Sequence, residues 1–111
     1  MLLKTIIADL NLRTAVVADS LTADITGAYV SDMLSDVMAH AKPGHLWVTL
    51  QIHPNIIAVA SLKELAGIVL VNSRQPEPET LQKAEQEGIP ILISSLPAFE
   101  LAGRLYRLFG G

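Results

Sequence analysis

The sequence predicts an α/β fold built on a mostly parallel sheet of about five strands, and three observations lead there. Its second half alternates β-rich runs with helical patterns: LWVTLQ, NIIAVASLKELA, IVLVN, EPETLQKAEQEG, IPILIS and a last amphipathic stretch. Strands joined by crossover helices produce this alternation. One run, IVLVN at 68–72, is apolar except at its end, as befits a strand covered on both faces. The apolar content is mainly Leu, Ile, Val and Ala with only 5% aromatics, which suits a helix-covered sheet.

Residues 2–9 read as a short helix with Leu3, Ile6, Ile7 and Leu10 on one side. TAVVA, 14–18, is β-branched and reads as a strand, followed by a polar turn region from Asp19 to Asp24. ITGAYV, 25–30, reads as a second strand with Gly27 inside it, where glycine marks a bulge or a close backbone approach. These two strands are neighbours in sequence, and an antiparallel pair between them makes the sheet mixed. Ser31 and Asp32 are N-cap residues for a helix through MLSDVMAHA. Met33 or Leu34, Val37, Met38 and Ala41 fit its buried side, and Lys42-Pro43-Gly44 stops it.

LWVTLQ, 46–51, is the third strand. Pro54 suits the first turn of the next helix, which is apolar nearly all round, is open to a break near Ser61 and ends at Gly67. After the strand 68–72, EPETLQKAEQEG is a surface helix with acids in its first turn, Leu81 and Ala84 facing inward and Gly88 closing it. IPILIS, 89–94, is the last strand. Ser95 and Pro97 open a final helix with a Leu101, Leu105, Leu108 stripe and Phe109 beside it. No repeat, low-complexity tract or internal linker divides the 111 residues, which suits one domain, 1–111.

Composition excludes several classes. Half the chain is hydrophobic and 17% charged, so it is not a disordered composition. The net charge is −3 without a basic stripe, which argues against a nucleic-acid partner. There is no cysteine, hence no disulfide, thiol nucleophile or Cys-based zinc site, as suits a reducing cytoplasm. MLLKTIIADL does not read as a signal peptide, because Lys4 and Asp9 interrupt it. The uncharged stretch 43–62 is broken by prolines, histidines and Asn55, so no membrane partner is expected.

Catalytic signatures are missing. Phosphoryl transfer needs a place for phosphates, and neither the P-loop pattern nor GxGxxG occurs; the internal glycines are isolated. His40, His45 and His53 are five and eight apart, which matches no standard metal-binding pair. Asp32 and Asp36 share a helix face, but the structural reading, Asp32 as cap and Asp36 in solvent, accounts for them. No cofactor or metal is expected. A ligand site is legible in outline at the C-terminal ends of the strands, where open α/β sheets bind small molecules. It comprises Thr49, Gln51 and His53 after the third strand, Asn72, Ser73 and Arg74 after the fourth, and Ser94 and Ser95 after the last. Arg74 is the one cation expected there, suited to an anionic group. The structural reading of the same residues is that Thr49 and Gln51 satisfy local backbone, His53 caps a helix and Arg74 is a surface arginine near Glu77 and Glu79.

The run ADITGAYVSDMLSDVM, then KPGHLWVTLQIHPNIIAVASLKELAGIVLVN, then EGIPIL, resembles a DRTGG domain from about Lys4 to Leu108. Asp24-Ile25-Thr26-Gly27-Ala28 stands where the name-giving pentapeptide falls and departs from it at the second and fifth positions. Such domains resemble the N-terminal domains of HPr kinase/phosphorylase and of Mur ligases. The resemblance implies a three-layer α/β/α fold and a regulatory, ligand-sensing role, with dimerisation frequent in larger proteins. The expectation is a non-catalytic cytoplasmic domain that homodimerises and binds a small anionic ligand such as a nucleotide. A small stand-alone phosphotransferase or hydrolase and a docking partner of a larger protein stay open beside it. The homodimer contact is expected from the apolar helix 55–66 and the Leu101, Leu105, Leu108, Phe109 stripe.

Overall fold

The computed structural model describes residues 1–17 and 19–111. Its elements, in order, are α1 (Leu3–Asp9), β1 (Arg13–Val16), β2 (Gly27–Val30), α2 (Leu34–His40), β3 (His45–Thr49), α3 (Asn55–Leu62), β4 (Gly67–Leu70), α4 (Pro78–Glu87), β5 (Ile91–Ile93) and α5 (Ala98–Leu108). The five strands form one sheet in the order β1-β5-β4-β3-β2, parallel from β2 to β5 and antiparallel only between β5 and β1.

The topology follows from a single repeated step. Each crossover from β2 to β5 moves one position in the same direction, and crossovers of one hand then place α2, α3 and α4 on one face. The alternation of strand side chains matches. Trp47, Ile68, Leu70, Ile91 and Ile93 pack with Val37, Ile56, Ile57, Ala60 and Ala84 of those helices. Leu46, Val48, Val69 and Leu92 point the other way, onto Leu3 and Ile6 of α1 and Leu101 and Leu105 of α5. The result is three layers, with β4 buried along its whole length.

Several expectations are corrected. β1 and β2 do not pair; they form opposite edges of the sheet, because β1 adds antiparallel beside β5. Ala18, the last residue of the expected first strand, lies outside the described residues. Gly27 begins β2 instead of interrupting it, and the close approach there is to a side chain: a Cβ would stand 3.1 Å from His45 Nε2. Neither Ser31 nor Asp32 caps α2, whose N-cap is Met33 with no side-chain cap bond. Gly67 opens β4, and α3 ends earlier, where Glu64 takes a left-handed conformation with φ 56°. Leu65 N then bonds Ala60 O and Glu64 N bonds Ser61 O, closing the helix in a Schellman arrangement. α4 ends in the same way at Gly88, φ 69°, with Ile89 N on Ala84 O.

The Thr-Gly pair of the DRTGG-like stretch has a packing role. Thr26 N bonds Gly44 O, Thr26 Oγ1 donates to Pro43 O, and Gly44 has φ 82° with its α-carbon so close that a Cβ would meet Thr26 Oγ1 at 2.8 Å. These contacts dock the start of β2 on the turn before β3, at the N-terminal edge of the sheet.

Candidate functional site

All four parallel strands end on the same edge. The segments leaving them are 31–33 after β2, 50–54 after β3, 71–77 after β4 and 94–97 after β5. After β4 the chain turns to the α2–α4 layer; after β5 it turns to the α1/α5 layer. Adjacent connections therefore diverge between β4 and β5, the kind of point at which open α/β sheets bind ligands, although here backbone bonds tie the first residues after the two strands together.

On the β2/β3 side, Asp32 organises the edge. Its Oδ1 accepts from Thr49 Oγ1 at 2.8 Å and from Leu50 N at 2.9 Å. Gln51 Nε2 donates to Asp32 O at 3.0 Å, and Gln51 N donates to Thr49 Oγ1 at 3.2 Å. Thr49 is buried and Gln51 half-buried, so both are engaged in joining the ends of β2 and β3. Nearby, Trp47 Nε1 donates to Ser31 O at 2.7 Å, which satisfies the one polar group of a fully buried indole. His53 Nδ1 accepts from Asn55 N at 3.1 Å, so a neutral ring carries its proton on Nε2, and the residue is exposed.

On the β4/β5 side, Asn72 and Ser73 are consecutive left-handed residues, φ 57° and 54°. The turn they make aims Asn72 N at Leu96 O and Ser73 N at Ser94 O, lacing the two strand ends together. Ser94 is buried, and its hydroxyl accepts from Leu96 N. The side chains of Asn72, Ser73, Arg74 and Ser95 remain exposed. Among the described residues Arg74 has no carboxylate within ion-pair distance, and Glu79 pairs with Lys83 instead. The eight sequence-predicted residues thus fall into two groups. Thr49, Gln51 and Ser94 are hydrogen-bonded into the scaffold, whereas His53, Asn72, Ser73, Arg74 and Ser95 present polar groups to solvent from three neighbouring strand ends.

The sequence reading did not reach Asp32 as the tie between strands, nor Leu96 as the backbone partner of Asn72. Both depend on strand register, which has no local signature. Asp36, expected in solvent, is half-buried. Asp36 instead accepts from the Tyr29 hydroxyl at 2.9 Å and lies 3.0 Å from His40 Nδ1, and Tyr29 stacks on His40. Hydrogen bonds from Ser31 and Tyr29 hold its carboxyl below the usual value, and the same contact pushes the Tyr29 phenol up. Among the described residues no three His, Asp or Glu side chains come together as a metal site, and no helix is long and apolar enough to cross a membrane.

No protein-family model matches the chain, and no curated protein does. Solved structures do match. One is the crystal structure of the CBS and DRTGG domains of the regulatory region of Clostridium perfringens pyrophosphatase, complexed with the activator diadenosine tetraphosphate. The TM-score is 0.75 at 15% identity, covering 93% of this chain and 44% of that one. The chain therefore has a DRTGG-like fold and spans less than half the length of that regulatory region.

Proposed function

We propose that this chain is a regulatory, ligand-sensing module, not a catalyst, that binds a small phosphate-bearing ligand such as a nucleotide and works as a pair of copies. The observation that carries this reading is the set of exposed polar side chains at the C-terminal edge: Arg74, in no ion pair among the described residues, with Asn72, Ser73 and Ser95 on the neighbouring ends of β4 and β5 and His53 after β3. A guanidinium is suited to bidentate contact with a phosphate, and the flanking amide and hydroxyls supply further donors. Two findings support the reading. The fold is shared with a regulatory region that was crystallised with a nucleotide activator. The sequence has no phosphate-binding loop of the kind a phosphotransferase uses. On this reading the chain is a distant relative of the N-terminal domains of HPr kinase/phosphorylase and of Mur ligases, and acts in the cytoplasm.

Thermal melting with ATP, AMP and diadenosine tetraphosphate tests the proposal. Ligand at about 100 times its dissociation constant adds about 2.7 kcal/mol of stability. For a chain of this length that raises Tm by roughly 10 °C. Arg74→Ala should weaken binding by about 1–3 kcal/mol, the range for a charge-assisted contact. A chain whose melting ignores all three ligands, or binds them equally well with Arg74→Ala, contradicts the assignment.

A further inference from the structure

Helix α5 is apolar on two sides. Leu101 and Leu105 are buried against the sheet, and Leu108 and Phe109 are half-buried there. The stripe that the sequence offered for self-association is thus largely covered by the chain itself, as are Ile56, Ile57 and Ala60 of α3. A second stripe, Phe99, Ala102, Gly103 and Tyr106, runs along the other side at the same helical spacing. Phe99 is 90% and Tyr106 72% exposed. With Ala28 and Val30 of β2 this stripe walls a groove of about 760 Å³. β2 is an edge strand, and it carries neither lysine nor proline to discourage pairing.

Two details bear on what covers the groove. Gly103 sits in the middle of α5, although glycine is a poorer helix former than alanine. Among the described residues a Cβ there would meet nothing within 4 Å, so their packing does not require a glycine. A glycine in that setting suits the close approach of a second backbone. Glu100, Arg104 and Arg107 line the groove, and among the described residues none of them is in an ion pair. Their order along the helix, acid first and bases after, is complementary to itself when reversed.

We propose that this face is the interface between two copies of the chain, related by a two-fold axis, with the two α5 helices antiparallel and crossing at Gly103. The crossing sets Phe99 of one copy against Tyr106 of the other and brings Glu100 of one copy beside Arg104 and Arg107 of the other. An isologous contact of this kind uses one patch twice and closes on itself. The inference specifies the pairing in the reading above and does not depend on its ligand.

Sedimentation equilibrium of the full chain tests it. The chain should be dimeric at about 100 μM, and Gly103→Leu should raise the dissociation constant at least ~10-fold while the far-ultraviolet melting of the dilute monomer holds. Glu100→Arg should weaken the dimer, as should the pair Arg104→Glu with Arg107→Glu, and combining all three changes should restore it. That rescue identifies the partner as a second copy and stays readable if Gly103→Leu folds poorly. A chain that remains monomeric at ~500 μM overturns the proposal. So does a dimer indifferent to Gly103→Leu and Glu100→Arg, or a charge reversal without rescue. The ligand reading fails separately, by the absence of a nucleotide-induced rise in Tm.

Discussion

Replacing Asp32 with alanine should loosen the edge of the sheet that frames the proposed site. One carboxylate oxygen accepts both the Thr49 hydroxyl, at 2.8 Å, and Leu50 N, at 2.9 Å. Hydrogen bonds to a charged group contribute about 1.5–3 kcal/mol each where they are sheltered. Asp32 and Leu50 are exposed, so water replaces much of what the second bond supplies, whereas the Thr49 hydroxyl belongs to a buried residue. The expected net loss is about 1.5 kcal/mol, most of it from the orphaned hydroxyl. At roughly 2.1 cal/mol/K of unfolding entropy per residue, a chain of this size should melt about 6 °C lower. Urea denaturation of Asp32→Ala, Thr49→Val and the double variant gives the coupling, which should be about 0.5–1.5 kcal/mol. Single variants within 0.5 kcal/mol of the parent, or strictly additive ones, refute the view that Asp32 ties β2 to β3.

Two other outcomes test the fold and its acid response. Glu64 occupies the left-handed position after α3 that Gly88 fills after α4, so Glu64→Gly should stabilise the chain by about 1 kcal/mol in thermal or urea unfolding, since the backbone bonds of the closure are kept. Burial, and secondarily the charge of Lys42, hold the His45 imidazole below its ordinary value of 6.5. A group with a lowered folded value contributes stability above its unfolded value, so this contribution should be full near neutral pH, begin to fade below 6.5 and be lost as pH falls through the folded value, a loss that His45→Gln should remove from the stability–pH curve.

The parts of the fold that were readable in the sequence are those with local causes. Gly88 marks the end of α4 because glycine takes the left-handed conformation without strain, and the acids, Leu81 and Ala84 mark its two sides. The end of α3 is the same motif made with Glu64, a residue with no such preference, so in the sequence Gly67 looks like the stop and only Ser61 hints at an earlier one. β4 was legible from its unbroken apolar run because burial on both faces leaves no polar position. The partner of β1 was not, since pairing with β5 across some eighty residues has no local signal. The same holds for the candidate site. The sequence placed eight polar residues at one edge by strand period alone. Which of them remain open to a ligand depends on Asp32 reaching across to Thr49 and on the 72–73 turn reaching across to 94–96. The outer stripe of α5 has no separate signal in the sequence, since Leu101, Leu105 and Leu108 already account for an amphipathic helix with one buried side.

An amide-resolved NMR titration with ATP bears most directly on the claim of ligand sensing at the C-terminal edge. The account predicts saturable shifts concentrated at Asn72, Ser73, Arg74, Ser94, Ser95 and Leu96, with His53 following, and their loss with Arg74→Ala. No saturable shift with ATP or diadenosine tetraphosphate, or shifts confined to the opposite edge around Pro43, Gly67 and Gly88, would contradict it.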